Sequence, residues 1–346
     1  MPNRKALLVR AYVLTGPGQG AVHDVPPPAA AAGEVVVDVE RVGLCGTDVE
    51  FYTGEMAYLE QGLAWYPMRI GHEWAGRVSR VGDGVDRSWI GVRVTGDTML
   101  GDGVCRRCRR GHPHVCENGQ EVGIRAGRDG ALAEQVAVPA ASLHVLPDQV
   151  DATLGALVEP AGNGWRAAHA ACAADGDRVL VIGPGTIGLL AAMFVRMSGA
   201  EVHLLGITEE SLDFARSIGF EHTWPDSELP EIPFDAVINA ANAADAAVRA
   251  LELVEPSGHV VYIGLAGTPS PIDTRTLTLK DVTAVGILSA SPGLDPAIAA
   301  FAAGELDPRP LVGATTGLAE VSAVLAGQRP SGAGAAPKMH VDPTMA

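Results

Sequence analysis

Val179-Leu-Val-Ile-Gly183-Pro-Gly185-Thr-Ile-Gly188 is the stretch from which the fold is read. Its apolar opening has the character of a buried strand, and a helical run follows from Gly188 to Ser198. Between them stands G-x-G-x-x-G. The glycines permit a tight turn, a close backbone approach to a pyrophosphate and close helix–strand packing, with the helix N-terminus facing the phosphates. In a chain with 42 glycines the motif alone is weak, and an ordinary Gly-rich turn is the bland alternative. The flanking sequence decides. Glu201-Val-His-Leu-Leu, Phe234-Asp-Ala-Val-Ile-Asn, His259-Val-Val-Tyr-Ile and the region of Val282-Thr-Ala-Val read as strands, alternating with helical runs at Glu209–Ile218 and Ala243–Leu253. That alternation predicts an α/β fold with a doubly wound parallel sheet that binds a dinucleotide through Gly183, Pro184, Gly185, Thr186, Ile187 and Gly188.

The second strand of such a unit bears on cofactor choice. An NAD site places Asp or Glu at its end, to bond the ribose 2′-hydroxyl. Here Gly206 follows Leu204-Leu205, with Ile207 and Thr208 next. Loss of the carboxylate leaves room for a 2′-phosphate and tilts the reading to NADP over NAD. No Arg follows at once, and Glu209 and Glu210 are close.

Upstream the texture differs. Glu34-Val-Val-Val-Asp-Val-Glu-Arg-Val, Gly76-Arg-Val-Ser-Arg-Val and Gly91-Val-Arg-Val-Thr are short strand runs between Gly and Pro, as in a β-rich, partly closed domain. An Ala-rich helical stretch from Leu154 to Ala174 marks the change. With it begins the Rossmann-type segment, expected over 156–295. A helix at Ala297–Ala303, the loop Asp307-Pro-Arg-Pro and a Gly/Ala-rich tail close the chain. That tail is too short for a domain, so 296–346 is expected to pack back on 1–155.

A length of 346 residues accommodates two cores, and 47% hydrophobic content argues against disorder. The formal charge of -16 argues against nucleic-acid or anionic-membrane partners, whose phosphates are bound by Lys and Arg. The opening Met1-Pro-Asn-Arg-Lys and its short apolar patch, interrupted by Arg10, carry no visible signal peptide or span. Five cysteines, an odd number with three clustered, read as thiolate ligands in a reducing compartment, hence the cytoplasm.

Two segments carry a metal reading. Gly43-Leu-Cys45-Gly-Thr47-Asp48-Val-Glu50 and Gly71-His72-Glu73-Trp-Ala-Gly76 offer a thiolate, an imidazole and a carboxylate, the donor set of a zinc site that keeps one position open. Alone, a buried Cys and a His-Glu pair are more often structural. The second segment is Cys105-Arg-Arg-Cys108-Arg-Arg-Gly-His-Pro-His-Val-Cys116. Three thiols at this spacing in a Gly-rich loop signal a closed structural zinc. His112 and His114 read as loop histidines rather than ligands.

The order of G-x-C-G-T-D, G-H-E-x-x-G, a cysteine-rich lobe, an E-P segment and G-x-G-x-x-G resembles the medium-chain zinc-dependent alcohol and polyol dehydrogenases, closest to the sorbitol, sugar and threonine dehydrogenase branch. The resemblance spans nearly the whole chain. It implies a GroES-like catalytic domain with a structural-zinc lobe over about 97–118, a Rossmann domain, NAD or NADP, two zinc ions and a homodimer or homotetramer. It further implies that Cys45 and His72 ligate the catalytic zinc, and that Glu73 and Glu159 are the carboxylates that ligate it or its water. Thr47 matches the hydroxyl that bonds the substrate oxygen. The ethanol-type branch has Cys where Glu159 stands.

Two positions depart from that pattern. Many relatives carry His at the outer end of the proton relay, where this chain has Glu50, which is either a relay carboxylate or a solvated residue. Relatives have four lobe cysteines, whereas the first position here is Asp102, a competent zinc ligand. The expected activity is hydride transfer between a secondary alcohol (polyol, sugar, cyclitol or hydroxy amino acid) and NAD(P). The rivals are a zinc-free quinone reductase, disfavoured by Cys45 and the lobe, and a non-catalytic NAD(P)- and zinc-binding scaffold, disfavoured by the Cys45, Thr47, His72 and Glu159 set. Met56, Tyr58, Trp65 and Tyr66, ahead of G-H-E, either wall the pocket or belong to the core.

Overall fold

The structure, a computed structural model, describes residues 8–345. The opening segment Met1–Leu7, read above as carrying no export signal, lies outside them. The chain forms two compact units. One contains the chain up to Glu159, Val312–Gly334 and the residues from Lys338 on; the other contains Pro160–Leu311 and Ala335–Pro337. No helix among the described residues is long and apolar enough to cross a membrane.

The first unit is GroES-like and rich in antiparallel strands. Its axis is the 11-residue strand Glu34–Leu44, which pairs antiparallel with Glu73–Val81, Gln135–Pro139 and Lys338–Val341. Both faces of this strand are covered: Val35, Val36 and Val37 are all fully buried. One face joins Trp74, Val78, Val94, Leu132, Met339 and Val341 in the core. The tail returns here as two strands, Val312–Thr316 parallel to Lys338–Val341. Val9–Gly16 and Gln19–Val25 form a separate hairpin.

In the second unit six parallel strands lie in the order His222–Trp224, Glu201–Leu205, Arg178–Ile182, Phe234–Asn239, Val254–Tyr262, Thr283–Gly286. Numbered along the chain this is 3-2-1-4-5-6, the doubly wound arrangement, with the nucleotide crevice expected at the carboxyl end of the first strand. Apolar runs such as Val179-Leu-Val-Ile are buried throughout, as parallel strands covered on both faces require. The helix Leu294–Ala303, placed with the tail by its sequence position, belongs to this unit, which runs on to Leu311. There Leu294 packs against Gly162, where a Cβ would stand 3.1 Å from Leu294 Cδ1.

Candidate metal and cofactor sites

Strand Glu34–Leu44 ends directly before Cys45, which is the N-cap of the helix Gly46–Thr53. Its Sγ accepts the Thr47 N–H at 3.3 Å, and the Asp48 carboxylate accepts the Cys45 N–H at 3.0 Å. The thiol therefore sits at the positive end of a helix. Glu73 opens the adjacent strand, and His72 immediately precedes it. His72 Nε2 lies 3.1 Å from Cys45 Sγ, and the ligand atoms of Cys45, His72 and Glu73 lie within 4.8 Å of one another.

The donor set and spacing fit zinc. With Nε2 aimed at the metal position, Nδ1 is left as a buried atom without a hydrogen bond, 3.8 Å from Asp48 Oδ1. A ligating imidazole carries its proton on that nitrogen, turned toward a carboxylate. Asp48 is fully buried and anchored also by the Gly71 N–H at 3.2 Å. Burial alone would lower the His72 pKa; the charges of Cys45 and Asp48 and the bond to Cys45 overcome this and raise it well above its ordinary value.

Glu73 is held by a residue that the sequence does not advertise. Lys338, 2% exposed, donates through Nζ to Glu73 Oε1 at 2.8 Å, to Oε2 at 2.7 Å and to the Leu44 carbonyl at 2.9 Å. All three ammonium donors are used. The approach depends on Gly43, where a Cβ would stand 2.1 Å from Glu73 Oε2. Glu159 is buried on the helix Ala152–Ala170, and its charge is felt by His72, but it is not among the three clustered ligands. Thr47 is half-buried and Glu50 exposed, one turn apart on the same helix. Partial desolvation, and then the charge of Glu55, hold the Glu50 carboxyl above its ordinary pKa.

In the lobe, Asp102, Cys105, Cys108 and Cys116 bring one ligand atom each within 4.8 Å of the others. Cys105 and Cys116 Sγ are 3.8 Å apart, close to the edge of a tetrahedron with Zn–S bonds of about 2.3 Å. Asp102 Oδ1 accepts the N–H groups of Val104 and Cys105, and Oδ2 accepts from Asn118 Nδ2, each at 2.9 Å. A carboxylate has about four acceptor positions, so one remains for a metal. These bonds, that to Cys105 foremost, hold its carboxyl below the ordinary range. His112 and His114 are not in the cluster. Cys116→Ser is expected to remove one zinc ion per chain, leaving the Cys45 site loaded, and to make the lobe protease-sensitive; metal analysis and limited proteolysis read both effects.

A third group, Glu201, His203 and His222, is also compact, but its geometry opposes a metal. The imidazoles are stacked with centroids 4.6 Å apart and planes 14° apart, so their in-plane lone pairs do not converge. Trp224 Nε1–H donates to His203 Nδ1 at 3.1 Å, which places the His203 proton on Nε2, bonded to Glu201 at 2.7 Å.

The cofactor loop follows the Arg178–Ile182 strand. Gly183 has φ +95°, open to glycine and strained for other residues. At Gly188 a Cβ would lie 2.0 Å from the Gly183 carbonyl, so only glycine lets the helix Thr186–Met197 lie this close. Gly185 is its N-cap and offers no side-chain bond, and a Cβ there would meet nothing within 4 Å. The amides of Thr186 and Ile187 thus begin a helix whose N-terminus is ready for a pyrophosphate. Pro184 lies against Gly206, whose Cβ would stand 3.0 Å from Pro184 Cγ. Thr208 caps the helix Glu209–Ser217, while Glu209 bonds Arg216 at 2.7 Å.

Of the aromatics ahead of G-H-E, Tyr58 and Tyr66 pack with Met56 against the first unit's core, and Trp65 is 54% exposed.

Comparison with known proteins agrees with this geometry. Residues 31–148 match the alcohol dehydrogenase GroES-like domain and residues 186–303 match the zinc-binding dehydrogenase family. L-threonine 3-dehydrogenase of Anaeromyxobacter sp. (strain K) is 32% identical over 278 residues, covering 77% of this chain and 79% of the relative. A zinc-binding dehydrogenase from Sinorhizobium meliloti 1021, solved with NADP bound, is 26% identical with a TM-score of 0.87, covering 97% of this chain and 99% of that one. Galactitol-1-phosphate dehydrogenase from Escherichia coli is 25% identical with a TM-score of 0.85, covering 96% and 100%. The chain belongs to the medium-chain zinc-dependent alcohol dehydrogenases, NAD(P)-dependent enzymes that act on CH–OH groups and carry a catalytic and a structural zinc.

Proposed function

We propose that this enzyme oxidises a secondary alcohol, or reduces the matching ketone, of the polyol, sugar, cyclitol or hydroxy amino acid class. The supporting observation is the Cys45–His72–Glu73 cluster with Thr47 and Glu50 on the helix that begins at it. When bound, zinc supplies the Lewis acidity that lowers the pKa of an alcohol hydroxyl, and NAD(P)+ supplies the hydride acceptor. Cys45 and His72 would hold the ion, with Glu73 and Glu159 as the candidate carboxylates for the rest of its shell. Asp48 keeps the His72 ring turned and its Nδ1 protonated. Thr47 accepts the hydroxyl proton of the substrate and passes it outward, and Glu50 delivers it to solvent, its raised pKa bringing it nearer to the working pH.

Gly183, Pro184, Gly185, Thr186, Ile187 and Gly188 cradle the pyrophosphate, and Gly206 with Thr208 faces the adenosine ribose. NADP is the preferred carrier on this reading, because no carboxylate stands at position 206 to repel a 2′-phosphate. Gly206→Asp is expected to raise the NAD-over-NADP ratio of kcat/KM by about tenfold or more. The enzyme works in the cytoplasm as a homodimer or homotetramer, with no nucleic-acid or membrane partner. The names of its relatives put L-threonine and galactitol 1-phosphate on the first assay panel. That panel of secondary alcohols, run with each cofactor and followed by absorbance of the reduced form, tests the reading. No turnover of any member by zinc-loaded protein would overturn it.

A further inference from the structure

Asn-Gly occurs twice in the chain, at Asn118-Gly119 and at Asn163-Gly164. In such a pair the glycine nitrogen can attack the asparagine side-chain carbonyl, because glycine has no Cβ to shield it and turns freely. The fold treats the two pairs differently. Asn163-Gly164 lies within the helix Ala152–Ala170, where Gly164 is buried and a Cβ on it would stand 2.8 Å from Leu190 Cβ. Asn118 is exposed, in the turn between Cys116 and the short strand Gln120–Glu121.

What holds the exposed pair is the lobe's own ligand set. Asn118 Nδ2 donates to Asp102 Oδ2 at 2.9 Å, the Asn118 N–H to Cys116 Sγ at 3.3 Å, and the Gly119 N–H to the Cys116 carbonyl at 3.3 Å. Each of these bonds ends on a residue of the Asp102, Cys105, Cys108 and Cys116 cluster. While that cluster is tied together by a metal, the Asn118 side chain is drawn toward Asp102 and the Gly119 nitrogen is engaged. Without the metal the lobe loses what fixes it, and the turn opens more often.

We propose that Asn118 is a modification site, a deamidation site whose reactivity is controlled by the lobe zinc, and that its conversion makes the loss of that zinc permanent. The Gly119 nitrogen gives up its proton to solvent and bonds to Asn118 Cγ. The Cγ–Nδ2 bond breaks, and ammonia leaves with a proton taken from water. A water molecule then opens the succinimide, at one carbonyl to give aspartate and at the other to give isoaspartate. Either product has a carboxylate in place of the amide, which accepts hydrogen bonds and donates none. Asp102 Oδ2 loses its donor and gains a neighbouring like charge. Isoaspartate also adds a methylene to the main chain beside Cys116.

The test compares zinc-loaded protein, protein stripped with EDTA, and Cys108→Ser, which empties the lobe alone and removes none of the bonds to Asn118. Each is incubated at mildly alkaline pH and digested for peptide mass mapping, which reads the change from amide to acid. Asn118 is expected to convert at least about tenfold faster in the stripped protein and in Cys108→Ser than in the loaded protein. Asn163 stays an amide in Cys108→Ser, which separates opening of the lobe from unfolding of the chain. Zinc returned to the aged, stripped protein refills the Cys45 site but not the lobe. Asn118→Asp, made directly, is expected to bind lobe zinc about 10- to 100-fold more weakly by metal titration. Gly119→Ala, whose Cβ would come no closer than 3.4 Å to the Cys116 carbonyl, keeps its zinc and resists conversion. Equal rates with the lobe full and empty overturn the proposal. So does an Asn118 that survives in Cys108→Ser while a free peptide of residues 114–122 converts, or an Asn118→Asp lobe that holds zinc as tightly as wild type. None of these readouts requires turnover, so their outcome is independent of the substrate.

Discussion

Cys45→Ala is expected to lower kcat/KM by at least about a thousandfold, the scale of the charge stabilisation that a catalytic metal supplies. Zinc analysis should show one ion lost per chain while the lobe keeps its own. The two losses are separable because Asp102, Cys105, Cys108 and Cys116 share no residue with the Cys45 cluster. Alanine also removes a helix cap, since Sγ accepts the Thr47 N–H, an effect of about 1 kcal/mol. Cys45→Ser keeps a capping oxygen and separates the two effects: activity falls with the metal while stability is largely retained. Asp48→Asn leaves the zinc ligands in place but weakens the hold on His72, with an expected loss of about 10- to 100-fold in metal affinity. Full activity of Cys45→Ala in metal-free buffer would overturn the zinc mechanism.

Lys338→Met is expected to have the largest effect on stability, a loss of about 3–5 kcal/mol, because it leaves the Glu73 carboxylate charged, buried and unpaired. Glu73 is 2% exposed and both its oxygens are bonded to Lys338 Nζ. A buried pair need not add net stability over an apolar replacement, but breaking it from one side is expensive. The signature is therefore non-additivity: Glu73→Gln introduced into Lys338→Met should recover much of the loss, with a coupling of about 0.5–3 kcal/mol in a double-mutant cycle. Denaturant titration of the four proteins measures it. Additive losses would show that Lys338 acts through packing rather than through its charge.

The parallel sheet was legible because its strands are apolar on both faces: Arg178–Ile182, Glu201–Leu205 and Phe234–Asn239 fall where Val, Leu and Ile runs place them. The tail strands were not. Lys338-Met-His-Val carries polar residues at alternate positions, which normally marks a face turned to water. Here all four are buried, since that face lies toward Glu73. Lys338 was invisible for the same reason, because its role depends on a contact 265 positions away. Asp48 stood within the G-x-C-G-T-D motif, yet only its distance to His72 Nδ1 separates a ligand-orienting carboxylate from a capping one. The cysteine lobe needed no such help: close spacing along the chain forces its thiols together, and Asp102 is three residues from Cys105.

The return of the tail to strand Glu34–Leu44 also sets an order of events as the protein is made. Residues that define the catalytic cluster leave the ribosome before the second unit does, and the strand that supplies Lys338 emerges 265 positions after Glu73. Until then Leu44 lacks its edge partner and the Glu73 carboxylate lacks its ammonium, whereas the second unit already has all six of its strands. Domains generally fold in order of synthesis. Here the unit that begins first is completed after the other, and a nascent chain has no completed site until the Lys338 strand is out.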